Sequence, residues 1–195
     1  MQRPEKNFVS GKKQRLKTDL QNRELIDLCR KNNRLAQFQV YKLYAKSMYN
    51  TSYRILNHSA EAEEVMQEAF LAAFSSIHIY NPDIPFGSWL KRIVINKAID
   101  QFRKNKKMIF LGDTDDIAAE ETTTEEPDLL FSTDEKNEVI TAIHHAIGNL
   151  PDGYRIVFSL YHIEGYDHQE ISAITGITES ASRSQLNRAR KQLRE

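Results

Sequence analysis

The sequence predicts an all-α protein made of two small helical domains joined by a flexible acidic linker, the second of them a helix-turn-helix domain. Three observations lead there. No run of alternating apolar residues is bounded by turn residues, so strands are not expected, whereas apolar side chains recur at helical spacing in both halves of the 195-residue chain. Between the halves, Asp113, Asp115, Asp116, Glu120, Glu121, Glu125, Glu126 and Asp128 follow one another with no intervening cation. Like charges, repeated threonine and Pro127 offer little apolar surface to set against the entropy of ordering that stretch. Near the C-terminus a short capped segment, a glycine and a basic segment follow in the order of a helix-turn-helix. The boundaries read from these shifts are a basic N-terminal extension over residues 1–33, a first helical domain over 34–104, an acidic linker over 105–132 and the second domain over 133–195.

In the first domain Phe38, Tyr41, Ala45, Met48 and Ile55 are expected on one buried helical stripe, and Ala62, Val65, Met66, Ala69 and Ala73 on the next. Ser59 suits the N-cap of that second helix, which puts Glu61, Glu63 and Glu64 near the positive end of its dipole. The segment HIYNPDIPFG, residues 78–87, holds two prolines and a terminal glycine and cannot continue a helix. A third helix is expected from about Ser88 to Lys104, burying Trp89, Leu90, Ile93 and Val94.

The second domain is expected to start near Ser132, with Ile140, Ile143 and Ile147 on one face of a helix that breaks between Gly148 and Gly153. Tyr154, Val157, Phe158 and Tyr161 mark the next helix, ended by Gly165. Asp167 with Glu170 three residues later has the pattern of a capping box, and Gly176 can take the left-handed conformation that ends a short helix. Ile171 and Ile174 face inward from it. Thr178 can cap the last helix, with Leu186, Ala189 and Leu193 on its buried stripe and Ser180, Arg183, Ser184, Asn187 and Lys191 pointing outward.

Basic and acidic side chains balance at 27 each, so the information lies in how they are segregated. Arg183, Arg188, Arg190 and Lys191 on the last helix, with short hydroxyl and amide side chains between them, suit DNA: guanidinium groups reach guanine edges or phosphates and small residues allow close approach. A basic helix alone is usually a solvated face, and here the capped helix and glycine turn before it favour DNA. On the second helix of the first domain, Glu61, Glu64 and Glu68 form an acidic stripe that reads either as a solvated face or as a docking surface for a basic partner. On the third helix, Arg92, Asn96 and Arg103, with Lys97, Lys104, Lys106 and Lys107 nearby, suit the DNA backbone. Phe86 and Trp89 are assigned mainly to packing. The loop tip from Ile79 to Asp83 is the part suited to contacting unpaired bases.

Several function classes drop out. A single cysteine, Cys29, excludes a disulfide framework and a multi-cysteine zinc site and is expected to be a small core filler. His144 and His145 are adjacent and point apart on a helix, and Gly165 separates His162 from His168, so no metal spacing emerges. Neither a glycine-rich phosphate loop nor a nucleophile elbow occurs. No stretch reaches the ~18 apolar residues of a membrane span, and the first residues lack the apolar core of a signal peptide, which makes the cytoplasm the expected location. The expectation is a protein with no catalytic residues, no cofactor, no metal and no small-molecule substrate. An independent helix-turn-helix regulator would normally dimerise, and no heptad seam is present. A helical-bundle metal hydrolase using the glutamates and His58 would need glutamate-x-x-histidine pairs on facing helices, which are missing.

The segment AEEVMQEAF, residues 62–70, resembles the AED-x-x-QE-x-F signature of region 2 in extracytoplasmic-function (ECF) sigma factors, a subfamily of the sigma-70 RNA polymerase sigma factors. FGSWLKRIVINKAIDQFRK, residues 86–104, resembles the F-x-x-WL-x-x-I-x-x-N-x-x-x-D-x-x-R that follows it. LPDGYRIVFSLYHIEGYDHQEISAITGITESASRSQLNRAR, residues 150–190, is similar to region 4 in its LP-x-x-x-R entry, EGY loop, helix-turn-helix and final RAR. The resemblance implies a factor that binds core RNA polymerase and directs promoter recognition, DNA melting and transcription initiation. It implies that Glu61, Glu63, Glu64, Gln67 and Glu68 belong to the helix that binds the clamp helices of the beta-prime subunit, and that the linker threads toward the RNA exit path. Tyr80, Asn81, Asp83, Arg92, Asn96 and Arg103 become the minus-ten set, with the proline-rich loop capturing an exposed base. Ser180, Ser182, Arg183, Ser184, Gln185, Arg188 and Arg190 become the minus-thirty-five set. A membrane-bound anti-sigma factor that holds the protein inactive is a further partner that the resemblance implies. Glu64 stands where an aspartate is usual, and Ala181, Ser182 and Gln185 replace the commoner Thr, Val and Arg, so base preference does not carry over.

Overall fold

The structure, a computed structural model, describes residues 23–112 and 138–194, and the regular elements among them are helices. The basic tail before residue 23 and the acidic run from residue 113 lie outside the described residues. From residue 23 to residue 30 the chain is helical (α1), burying Ile26 and Cys29. It reverses at Asn32, whose φ of 58° lies in the left-handed region that asparagine tolerates better than most residues. Asn33 then caps α2 (Arg34–Leu56), its Oδ1 accepting from the backbone N–H groups of Leu35 at 3.0 Å and Ala36 at 3.1 Å. After Asn57, the cap of α3 (Ser59–Ser75) is His58 rather than Ser59. The extended backbone of His58 lets its Nδ1 accept from the Glu61 N–H at 3.3 Å, which makes Ser59 the first helical residue.

A 3₁₀ turn over Ile77–Ile79 leads through the proline loop to α4 (Phe86–Gly112), which starts two residues before the expected Ser88 and runs eight past Lys104. Proline fits just before a helix, and the Pro85 carbonyl accepts from Ser88 and Trp89 at 3.0 and 3.2 Å. At the far end, Asn105 to Leu111 contain no helix breaker, so the helix continues to Gly112.

Helices α1 to α4 close around Val40, Met48, Met66, Phe70, Phe86, Leu90 and Val94. Phe38, expected on the buried stripe, is 55% exposed and holds the Lys42 ammonium over its ring. The inward stripe of α2 instead runs through Ala36, Val40, Met48, Thr51, Ser52 and Ile55. Two of these are polar because their hydroxyls have partners: Ser52 Oγ donates to the Ala62 carbonyl at 2.8 Å and ties α2 to α3.

The second domain comprises α5 (Glu138–Gly148), α6 (Asp152–Phe158), a π turn over Ser159–Ile163, α7 (His168–Thr175) and α8 (Glu179–Gln192). Ile143, expected to be inward, is exposed, whereas Ile147 and Leu150 are buried. Helix α7 opens with the capping box: the Glu170 N–H donates to Asp167 at 2.8 Å and the Asp167 N–H to the Glu170 carboxylate at 2.9 Å. It ends at Gly176, whose φ of 75° suits a residue without Cβ. Thr178 Oγ1 accepts from the Ala181 N–H at 3.1 Å and starts α8.

The two domains pack against each other. One apolar cluster joins Ile55, Val65, Ile95 and Ile99 of the first to Ile156, Leu160, Ile171 and Leu186 of the second. Arg155, 3% exposed, crosses the boundary: its Nε donates to the Arg54 carbonyl at 3.3 Å and its Nη2 to the Ile55 carbonyl at 3.1 Å. These carbonyls belong to the last turn of α2, where acceptors lack intrahelical donors and a cation meets the negative end of the dipole. Asn57 adds a bond from Nδ2 to the Gly148 carbonyl at 3.2 Å.

Candidate nucleic-acid interface

Helix α8 presents its exposed side chains as one stripe because Ser182, Leu186 and Ala189 define the buried one. Ser180, Arg183, Ser184 and Arg188 are exposed, as is Asn187. Arg183 pairs with Glu179 one turn back at 2.7 Å, which pre-orients the guanidinium at the end of α8 nearest the turn. Arg188 Nη1 reaches the Tyr154 hydroxyl at 3.4 Å.

Three residues grouped with these by the sequence turn elsewhere. Ser182 is fully buried and shares a 2.9 Å hydrogen bond with His168 Nδ1, so it fixes α8 against the start of α7 and does not reach out. Gln185 is half-buried with its amide against Gly153, where a Cβ would lie 3.2 Å from Oε1, so it packs on α6. Arg190 lies over the Tyr161 ring at 5.7 Å and donates from Nε to His162 Nε2 at 3.1 Å. Burial, and then the Arg190 charge, lower the His162 pKa, in keeping with a neutral ring that accepts at Nε2. The extension of the buried stripe back from Leu186 to Ser182 was legible in the spacing. The contacts of Gln185 and Arg190 with other helices were not.

On α4, Arg92 and Asn96 are exposed. Arg103 is exposed too, with Asp100 at 3.4 Å and a donor bond from Nη2 to the Ile174 carbonyl of the second domain at 3.3 Å. In the loop, Asn81 and Asp83 form an exposed tip held by the Asp83 N–H donating to Asn81 Oδ1 at 3.0 Å. Tyr80, placed in that tip by the sequence, is buried. Its ring packs on Phe86 and Trp89 at 5.4 and 5.2 Å, and its hydroxyl donates to the Ile84 carbonyl at 2.5 Å. A phenol so enclosed cannot stack on a base. It braces the loop from beneath.

Sequence reasoning missed Arg30 of α1. Its Nη2 donates to the Tyr80 carbonyl at 2.8 Å, its Nε lies 3.5 Å from the Ile77 carbonyl, and its guanidinium sits 5.7 Å from the Tyr80 ring centre. One cation thus holds both sides of the loop's entry. Its only signal was helical spacing in ELIDLCRKN, which places Ile26, Cys29 and Arg30 on adjoining faces.

The acidic residues of α3 divide. Glu63, Glu64, Gln67 and Glu68 are exposed, and Glu63 Oε1 accepts from Gln67 Nε2 at 3.1 Å. Glu68 meets Lys97 of α4 at 2.8 Å, and the hydrogen bond and charge of Lys97 hold its carboxyl below the usual range. Glu61 turns inward, both carboxylate oxygens accepting from Asn105 Nδ2 at 2.8 Å. It therefore fastens α4 to α3 and leaves the outer stripe. Leu71 extends that stripe and is 69% exposed. Among the described residues no group of three or more histidine, cysteine or acidic side chains is placed to hold a metal, and no helix is long and apolar enough to cross a membrane.

Residues 40–108 match the family model described as Sigma-70 region 2, and residues 140–193 match that described as Sigma-70, region 4. The chain is 29% identical over 160 residues to the ECF RNA polymerase sigma factor SigE of Mycolicibacterium smegmatis, an alignment that covers 80% of this chain but 60% of that relative. It is 29% identical to the ECF sigma factor SigW of Bacillus subtilis, covering 85% of this chain and 90% of SigW. To the RNA polymerase sigma factor CnrH of Cupriavidus metallidurans it is 30% identical, over 68% of this chain and 71% of CnrH. Among solved structures, CnrH in complex with the cytosolic domain of CnrY matches with a TM-score of 0.50 at 22% identity, covering 89% of this chain and 94% of that one. RpoE with the anti-sigma factor NepR from Bartonella quintana matches at 0.51 and 17%, covering 80% and 92%. These two likenesses speak to the fold.

Proposed function

The chain belongs to the sigma-70 family of RNA polymerase sigma factors, in the ECF subfamily, and from that premise we propose how its surfaces divide the work of starting transcription. It is a transcription initiation factor and not an enzyme. Its partners are core RNA polymerase and promoter DNA. The observation that carries the DNA reading is the capped α7, the Gly176 turn and the exposed Ser180, Arg183, Ser184 and Arg188 of α8. A recognition helix enters the major groove with its N-terminal residues against base edges, where arginine reads guanine and short polar residues allow approach.

The exposed α3 residues Glu63, Glu64, Gln67 and Glu68 dock a basic helical surface of the polymerase, the beta-prime clamp helices, with Leu71 as the apolar contact beside them. Asn81 and Asp83 at the loop tip, with Arg92, Asn96 and Arg103 on α4, face the minus-ten element. Glu61, Tyr80, Ser182, Gln185 and Arg190 support these surfaces from behind and make no direct contact. The protein works in the cytoplasm, where polymerase and promoter are, and an anti-sigma factor is the partner expected to hold it in reserve. The test is run-off transcription with purified core polymerase on templates carrying genomic upstream fragments. Start sites sharing two spaced upstream motifs support the reading. DNA binding with no polymerase binding would leave an ordinary helix-turn-helix regulator.

A further inference from the structure

Helix α1 lies before the region 2 match, which begins at residue 40, yet it supplies a side chain that fixes the loop ahead of α4. The helix is a rigid post. Ile26 and Cys29 are buried in the first-domain core with Val40, Phe70 and Leu90. At its end the Asn32 and Asn33 N–H groups donate to the Cys29 and Leu28 carbonyls at 2.9 and 3.1 Å, and Asn33 then caps α2. Arg30 projects from this post toward the loop. Its Nη2 donates to the Tyr80 carbonyl at 2.8 Å, its Nε lies 3.5 Å from the Ile77 carbonyl, and Asp27 one turn back holds Nη1 at 3.1 Å. A guanidinium suits this task because its donors form a planar fork that serves two carbonyls at once, and a charged donor makes the stronger bond.

Tyr80 passes that constraint on. Its carbonyl is tied to Arg30 at the loop's entry, its hydroxyl donates to the Ile84 carbonyl at the exit, and its ring rests on Phe86 and Trp89 in the first turn of α4. The tip beyond it is held by short-range bonds. The Asp83 N–H donates to Asn81 Oδ1 at 3.0 Å and the Ile84 N–H to the Asn81 carbonyl at 3.2 Å. Those bonds shape the tip without fixing where it stands on the domain. Its placement comes from Tyr80, and the backbone of Tyr80 is placed by Arg30.

We infer that Arg30 is a positioning residue for the minus-ten contact: from outside the matched region it sets the loop so that Asn81 and Asp83 meet an unpaired base in a conformation already formed. The inference rests on the sigma-factor reading and on the loop's part in it. Drawing a base from its stack costs energy, and a tip that had also to be ordered at that moment would add to the cost. Without Arg30 only a fraction of molecules hold the loop correctly, and affinity for the base falls by that fraction. A template that offers no base to the loop does not feel the difference. Arg30 acts through Tyr80 and touches no DNA.

The test uses core RNA polymerase saturated with the full chain and a premelted promoter template whose minus-ten strand carries one abasic position, moved base by base. With the unsubstituted protein, removal of the captured base should weaken binding about tenfold, the worth of one good base contact. Arg30→Met should bring that ratio below about threefold by weakening the intact template and sparing the abasic one, with polymerase affinity unchanged. Arg30→Lys keeps a charged donor and should recover part of the ratio. Tyr80→Phe, which frees the loop's exit and keeps the ring, should lower it, so the comparison stands even if Arg30→Met fails to fold. A ratio that Arg30→Met leaves at its full value, or equal weakening of intact and abasic templates, overturns the inference. If no abasic position weakens the unsubstituted complex, the base-contact reading of the loop fails first, and the inference falls with it.

Discussion

Every fully buried residue of the Val40, Met48, Leu90 and Val94 cluster lies on α1 to α4, so the first domain closes a core of its own. The second domain's buried residues, Ile156, Val157, Leu160, Ile171 and Leu186, belong to a cluster that continues into Ile55, Leu56, Val65 and Ile95 of its neighbour. Its boundary with the first domain is also dressed with charge, through Arg155, Asp152 and Glu164. One domain is built as a fixed platform. The other completes its core against that platform.

Breaking the platform should cost most. Leu90→Ala empties a fully buried site in the private core and should lower unfolding free energy by about 2–5 kcal/mol in urea titration. A loss below about 1 kcal/mol would mean that this core is not closed. Arg155→Met comes next, because the Arg54 and Ile55 carbonyls lose a buried cation. A loss of about 3 kcal/mol in the same titration is expected. Arg183→Ala should leave folding and polymerase binding intact while weakening minus-thirty-five DNA by about 1–3 kcal/mol in a binding titration. Gly176→Ala, in a left-handed turn, should cost about 1–2 kcal/mol and weaken the same DNA without altering the first domain.

Acid sharpens the comparison further. Burial opposes the charge on Glu164, yet its bonds and charge interactions with Lys91 and Arg54 outweigh burial and bring its pKa below the ordinary value. Arg155 and Lys106 do the same for Asp152. A lowered pKa contributes stability that is present above the ordinary carboxylate range and is lost as pH falls through the lowered value. Besides Arg54 and Lys91, Tyr166 faces Glu164 and stays neutral throughout that range. Unfolding free energy in urea should therefore fall as pH is lowered through the carboxylate range, and Glu164→Gln should make that fall shallower.

How much was legible follows from how local each cause is. The helix-turn-helix rests on Asp167, Glu170, Gly176 and Thr178, whose partners sit within three or four residues, so spacing revealed it. His58 took the cap expected of Ser59 because a histidine ring accepted a bond that sequence pattern assigns to hydroxyls. Tyr80 and Arg190 were misplaced because burial comes from distant partners: Arg30 lies fifty positions before Tyr80, and His162 lies 28 before Arg190. Arg155 and Glu164 make their decisive bonds across about a hundred residues, where periodicity carries no signal.

The most direct test of the central claim is titration of the purified protein with core RNA polymerase, followed by transcription from a promoter template. Saturable binding that Glu64→Lys weakens and Arg183→Ala leaves unchanged, with initiation at one site that both substitutions reduce, is the predicted result. Initiation by core polymerase that is the same with and without the protein would contradict it.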